Sequence, residues 1–254
     1  WSYDDFNYGI AYYFDNNDTN AKNTLTNTYE HDLTLIGNFQ GTDDEKKKIS
    51  TWITKYVTRM DSVFSGKSDF NEYIGTWKTG AVTYMGNMFN GATNFNQDLR
   101  HNPVTGAWDV GNVNAEGDME GMFYNASEFE GKGLGTWDVS NVQTMTSMFS
   151  GASNFNSDIS SWTVNNVTDM SGMFMYAENF SRDIRKWKVS RVEDGDFLDM
   201  FNGATKMISM FNPTDDPNNS FGYSENDYTP NRQWFTVPSL SESESGVTGG
   251  QWVN

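Results

Sequence analysis

The sequence predicts an α/β repeat fold, a solenoid in which each unit of about 25 residues supplies one short strand and one short helix. The first observation is a recurring tryptophan, and three of the five gaps between successive copies are 25 residues. These residues are Trp52, Trp77, Trp108, Trp137, Trp162 and Trp187. The second is a fixed apolar pattern between them. Because so short a unit cannot bury its apolar side chains alone, the units must stack on one another.

Two apolar periods within each unit predict its elements. From Met170 to Ala177, methionine, phenylalanine and alanine occur at i, i+3, i+4 and i+7, the spacing of one helix face. From Ile159 to Val164, tryptophan and valine lie two residues apart, as on one face of a strand. The unit therefore predicts a strand followed by a helix.

Two units are longer than the others, and insertions account for their length. Six extra residues around Pro103 explain the gap of 31, and extra residues before Met119 and Leu134 explain the gap of 29. The tryptophans and methionines at the repeated positions are interpreted as core residues, because exposed indoles in register would promote aggregation. A sugar-stacking platform is the alternative for the tryptophans.

The repeats have predicted extensions at both ends. Residues 1–41 are rich in aromatic residues and predict an N-terminal cap on the open end of the solenoid, which itself spans 42–211. Within it, a helix is expected over about 42–64 and the repeats over about 52–211. Residues 212–254 are polar and predict an extended tail, with Trp234, Phe235 and Trp252 as candidate anchors on a partner.

If tryptophan and valine point inward, their neighbours form an exposed face. Its candidate interaction residues come from three successive units: Asp138, Ser140, Thr163, Asn165, Lys186 and Lys188. These side chains are small and polar, and they become basic toward the C-terminal end. Such a face suits contact with a protein or a glycan.

Composition excludes several kinds of chemistry. The 17 basic and 34 acidic residues give a net charge of −17, which is unfavourable for nucleic acid. No apolar stretch approaches the roughly 20 residues that span a bilayer. The chain has no cysteine, and His31 and His101 are its two histidines, so zinc sites and Cys–His nucleophilic sites are not expected. Carboxylates at Asp15 and Asp18, or at Asp215 and Asp216, leave calcium as an alternative, but no metal site, cofactor or catalytic residue is predicted.

The repeat resembles a known family of surface proteins. The phrases that carry the resemblance are Asp138-Val-Ser-Asn-Val142, Met145-Thr-Ser-Met-Phe149 and Phe155-Asn-Ser-Asp-Ile159. They are similar to the BspA-like leucine-rich-repeat proteins, including the DUF285-type repeats, over roughly residues 52–211. The resemblance implies a leucine-rich-repeat-like solenoid, an association with cell surfaces and adhesion, and no catalytic residues.

The expected function is therefore a non-enzymatic protein-interaction or adhesion module. A protein partner is expected and a glycan is possible. The expected location is extracellular or on the cell surface, with which the five N-x-Ser/Thr sequons are compatible. A structural accessory subunit of a large assembly, in an organelle lumen or on a particle surface, is the alternative. A carbohydrate-active enzyme is the third hypothesis, because carboxylates are abundant.

Overall fold

The computed structural model describes residues 49–114, 118–211 and 228–236. Most of these residues lie in turns and in segments without regular secondary structure. The α-helix of the described part, α1, spans Thr205–Phe211. Short 3-10 helices span Ile49–Thr51, Leu134–Thr136, Asp194–Phe197 and Arg232–Thr236.

The predicted α/β solenoid of leucine-rich-repeat type, with one strand and one helix in each unit, is wrong. In the three described ranges no β-strand forms, and β-pairing is limited to isolated bridges such as Arg59 with Tyr84 and Thr144 with Asp169. Within the stretch from Met170 to Ala177, residues 171–176 form turns. Helix α1 follows the last repeated alanine, Ala204, where the pattern fades.

Left-handed residues interrupt the predicted helices. In the unit that begins at Trp137, Ser147 has φ 53° and Gly151 has φ 72°. Equivalent pairs, four residues apart, occur in the other units, and in each pair one member is glycine. A right-handed helix cannot continue through such residues. The i, i+3, i+4, i+7 spacing of apolar residues therefore arises from a chain of tight turns.

Backbone hydrogen bonds join the units where helices were expected. The N–H groups of Met145, Ser147, Phe149 and Gly151 donate to carbonyls 24 residues further along, at N···O distances of 2.7–3.0 Å. The amides between them turn back within the unit, for example Met148 N–H to the Met145 carbonyl at 3.1 Å. Alternate amides thus serve the turn and the next unit, so the buried backbone is satisfied without helix or sheet.

The predicted strand segments fail for a related reason. The Trp162 N–H donates to the Ile159 carbonyl at 3.0 Å, closing a turn that removes the amide from any ladder. The indole then replaces the backbone as the link between units, because Trp162 Nε1 donates to the Leu134 carbonyl at 2.9 Å. The indoles of Trp77, Trp108, Trp137 and Trp187 make the same contact with the preceding unit.

Aromatic side chains form the core of the stack. Phe149 lies with its ring centroid 5.7 Å from those of Phe123 and Phe174 in the neighbouring units, and 3.9 Å from Phe155 in its own. The repeated tryptophans are at most 8% exposed, as the core interpretation predicts. Each unit therefore packs its rings on the unit before and the unit after it.

The predicted opening helix over about 42–64 is also wrong within its described part. Residues 49–64 contain the 3-10 turn Ile49–Thr51, followed by turns and a left-handed Ser62 at φ 58°. The remainder of that segment and the predicted cap over 1–41 lie outside the described residues. Of the predicted tail over 212–254, the structure describes 228–236, so Trp252 also falls outside it.

Substitution of Gly151 by alanine should separate backbone strain from steric collision. An alanine at φ 72° is strained, and its Cβ would displace Asn125 Oδ1 and lie 3.3 Å from the Asn125 Cα, which cannot move aside as the side chain can. Gly66 has φ 70° with open space around its Cβ position, so Gly66→Ala carries the strain alone. Chemical denaturation should show a loss of about 1 kcal/mol for Gly66→Ala and about 2–3 kcal/mol for Gly151→Ala. Equal losses would contradict this packing.

Candidate interaction face

Exposure alternates along the chain around each repeated tryptophan. Trp137 and Val139 are at most 4% exposed, whereas Asp138 between them is exposed and Ser140 is half-buried. The next two units repeat the pattern, with Thr163, Asn165, Lys186 and Lys188 all exposed. Because the Trp162 and Trp187 rings stack at 6.4 Å, equivalent positions of successive units lie side by side. These six residues, here named the polar face, share one side of the stack.

Beside the polar face runs an asparagine ladder that the sequence analysis missed. Asn112, Asn141 and Asn166 each donate from Nδ2 to a carbonyl of the preceding unit, at 2.6–2.7 Å. In the last unit, Arg191 takes the equivalent position and donates to Asn166 Oδ1 at 3.0 Å. The sequence feature that could have revealed this ladder is an asparagine at the fourth position after tryptophan in three successive units. These amides hold neighbouring units together.

Two exposed aspartates have local hydrogen-bond partners. Asp138 Oδ1 accepts the Ser140 N–H at 3.0 Å, and Asp158 Oδ1 accepts the Ser160 hydroxyl at 2.7 Å. Hydrogen bonding from these serines lowers the pKa of both carboxyl groups from the usual range. Both carboxyl groups are therefore ionised at neutral pH and contribute fixed negative charge.

One aspartate is fully buried and accepts hydrogen bonds from the backbone of the next unit. Asp118 accepts hydrogen bonds from the N–H groups of Gln143 at 2.8 Å and Thr144 at 3.0 Å in the next unit. Burial raises the pKa of this carboxyl, and the backbone donors partly oppose that rise. With its oxygens hydrogen-bonded to amides of the next unit, Asp118 joins two units at the site of an insertion.

Two of the candidate tail anchors contact the last unit of their own chain. Phe235 is 4% exposed and its ring centroid lies 5.2 Å from that of Phe197. Trp234 packs at 5.4 Å from Phe201, and its Nε1 donates to the Phe211 carbonyl at 3.3 Å. The segment 228–236 thus covers the C-terminal end of the stack.

An ion pair between a buried arginine and a half-buried aspartate lies next to the polar face. Arg185, 9% exposed, donates to both carboxylate oxygens of Asp183, each at 2.9 Å. The guanidinium also lies 5.1 Å from the ring centroid of Phe211. The hydrogen bond from Arg185 is the main reason that the pKa of Asp183 is lowered. This pair stabilises the end of the stack.

Asp183→Asn should reduce stability at neutral pH by about 1–2 kcal/mol, since a buried arginine loses its charged partner. Folding lowers the pKa of Asp183, so the ionised carboxylate's contribution to stability is fully present above the unfolded pKa of about 3.9. That contribution is lost as pH falls through the pKa of the folded state. Urea denaturation should therefore show the two proteins converging in acid. The exposed pair Asp98–Arg100 provides the control, and Asp98→Asn should cost below about 0.5 kcal/mol. Equal losses for the two variants would contradict the role of burial.

The described residues contain no group of three or more His, Cys, Asp or Glu side chains that could hold a metal ion. No helix in these ranges has the length and apolar character needed to cross a membrane. Of the two histidines, His101 is half-buried and precedes the turn at 103–106, and His31 lies outside the described ranges. The exposed arrangement that repeats is the polar face.

The comparison with known families matches most of the repeat region. The family described as "Mycoplasma protein of unknown function, DUF285" matches twice, over residues 33–130 and 101–213. Together the two matches cover well over half of the 254 residues. No curated protein matches the chain.

Proposed function

We propose that this chain, which belongs to the DUF285 family, is a non-enzymatic interaction or adhesion module that binds through its polar face. One observation carries the proposal. The side chains of Thr163, Asn165, Lys186 and Lys188 are exposed and make no hydrogen bond within the described part of the chain. Nearby polar groups such as Asn141 and Asn166 are engaged in joining units.

An aligned row of unengaged polar groups suits recognition of a partner that extends along the stack. Each unit contributes exposed polar groups within three residues of its repeated tryptophan, so contacts with a partner can recur from one unit to the next. The resemblance to BspA-like surface proteins supports an adhesive role at the cell surface or outside the cell. A structural accessory subunit of a large assembly is the competing role.

The test is binding of the fluorescently labelled full chain to intact cells of its source, measured by flow cytometry. Thr163→Trp/Asn165→Trp places two bulky rings in the middle of the polar face and should weaken binding about tenfold. The control, Ser65→Trp/Ser68→Trp, adds the same rings at exposed positions away from that face and should bind like the wild type. Equal binding by both variants would contradict the proposal.

Gradient fractionation of a gentle extract separates the proposal from the competing role. An adhesion module should migrate as a free protein, apart from any other chain, once released from the surface. Migration with a large complex at high salt would instead support the accessory-subunit role. Hydrolysis of a polysaccharide that disappears on removing a pair of carboxylates would overturn the non-enzymatic proposal.

A further inference from the structure

Positive charge is concentrated at one end of the polar face. Residues 182–191 contain five of the 17 basic residues of a chain whose net charge is −17, and one acidic residue, Asp183. The acidic residues Glu193, Asp194 and Asp196 follow, and Glu193 pairs with Arg232 at 2.7 Å. Arg185 is paired with Asp183 and buried. The other four side chains, Arg182, Lys186, Lys188 and Arg191, are exposed and are here named the basic end.

The basic end consists of two lysines without a hydrogen-bond partner in the described part and two arginines that are hydrogen-bonded to the preceding unit. Lys186 and Lys188 flank the buried Trp187, so both point away from the core, and neither forms a hydrogen bond or ion pair in the described part. Arg182 and Arg191 are held against the preceding unit. Arg182 Nε donates to the Asn156 carbonyl at 2.9 Å, and an Arg191 terminal nitrogen donates to Asn166 Oδ1 at 3.0 Å. Each guanidinium retains donors for a further acceptor.

The surroundings of the basic end are polar and lack apolar anchors. Ser161, Thr163 and Asn165 in the preceding unit and Ser190 in the same unit are all exposed. Among the described residues, the exposed large hydrophobic side chains occupy other positions: Tyr56, Tyr73, Val104, Tyr176, Leu198 and Met210. Protein interfaces usually bury an aromatic or aliphatic centre, which is missing here. Neutral sugars usually stack on exposed aromatic rings, which are also missing.

We infer that the basic end binds an acidic polysaccharide, a linear sugar chain that carries sulfate or carboxylate groups. The ammonium and guanidinium groups pair with the anionic substituents, and the neighbouring hydroxyl and amide groups bond to the sugar hydroxyls. A chain with charges at regular intervals can follow the repeated units. This inference rests on the proposed function, because it names the partner of the same face.

The probe is heparin, titrated calorimetrically into the full chain, with neutral dextran and polyglutamate as comparison ligands. Heparin should bind, and its affinity should fall as salt is raised, because the contacts are exposed ion pairs. Lys186→Gln/Lys188→Gln should bind about tenfold more weakly. Lys55→Gln/Lys78→Gln is the matched control, because it removes two exposed lysines from the same side at the other end of the stack. It should bind within about twofold of the wild type.

The outcomes distinguish failure of the acidic-polysaccharide inference from failure of the proposed interaction function. Failure to bind heparin, or equal binding by the two double variants, overturns the inference. Tighter binding of polyglutamate than of heparin, lost in Lys186→Gln/Lys188→Gln, overturns it in favour of an acidic protein partner. In either case, loss of cell binding in Thr163→Trp/Asn165→Trp would still support the interaction module. Unchanged thermal unfolding of the lysine variants confirms that charge alone was removed.

Discussion

Replacement of Phe149 by alanine is expected to lower the free energy of unfolding by about 3–5 kcal/mol. Phe149 is fully buried and packs against Phe123 in the preceding unit, Phe174 in the following unit and Phe155 in its own. In a repeat protein each unit is stabilised mainly by its neighbours. The resulting cavity therefore weakens two interfaces between units, near the middle of the stack.

Equilibrium denaturation followed by tryptophan fluorescence measures this loss. Phe149→Leu keeps most of the volume and should cost about 1–1.5 kcal/mol, so it reports on packing even if the alanine variant fails to fold. Tyr73→Ala, which removes a ring that is 53% exposed, should stay within about 0.5 kcal/mol of the wild type. A loss below about 1 kcal/mol for Phe149→Ala would show that the ring stack is not the core.

Removal of the two aromatic rings that cover the C-terminal end is expected to cost about 3–5 kcal/mol and to promote self-association. Trp234 and Phe235 pack on Phe201 and Phe197 of the last unit. The same segment supplies backbone acceptors, since the Phe201 N–H donates to the Tyr228 carbonyl at 3.2 Å. Trp234→Ala/Phe235→Ala should expose this end, which then resembles an unpaired edge.

Light scattering coupled to size-exclusion chromatography, across a range of concentrations, tests this prediction. The variant should show concentration-dependent association and a lower unfolding midpoint. Met210→Ala, which shortens a side chain that is 49% exposed on α1, is the control and should remain like the wild type. If Trp234→Ala/Phe235→Ala matches the wild type in both measurements, the segment 228–236 has no capping role.

The repeat and its core were predictable because burial depends on periodic composition. The recurring tryptophans, the Met-x-x-Met-Phe motif and the paired phenylalanines identified residues that the structure buries. The alternation of exposed and buried residues around Trp137 and Trp162 was also predictable, since an extended backbone places successive side chains on opposite sides. Both predictions depend on side-chain polarity, which the sequence displays directly.

The secondary structure was not predictable from that periodicity. Turns with left-handed residues at Ser147 and Gly151 bury the same i, i+3, i+4 and i+7 positions as a helix, so the apolar pattern fits both. The glycine in each left-handed pair was the sequence feature that pointed to turns, but it is the first member in some units, as at Gly172, and the second in others, as at Gly151. Backbone hydrogen bonds between units also depend on stacking, which one unit alone does not encode.

The position of the candidate site could be predicted from the sequence, but some of the contacts that build it could not. The exposed residues of the polar face follow from the alternation, but the asparagine ladder beside them does not, because an exposed asparagine has no distinctive pattern until its carbonyl partner is known. The capping contacts of Trp234 and Phe235 join residues about 35 positions apart, such as Phe197 and Phe235. Contacts of that range require the folded stack.

The measurement that most directly tests this architecture is NMR detection of scalar couplings across backbone hydrogen bonds. The structure predicts a coupling between the Phe149 amide nitrogen and the carbonyl carbon of Met173, whose oxygen accepts that N–H at an N···O distance of 2.9 Å. The same spectrum should couple the Ser147 amide to the Ser171 carbonyl. A coupling from Phe149 to Met145 instead, the i−4 partner in an α-helix, would contradict the stacked-turn architecture.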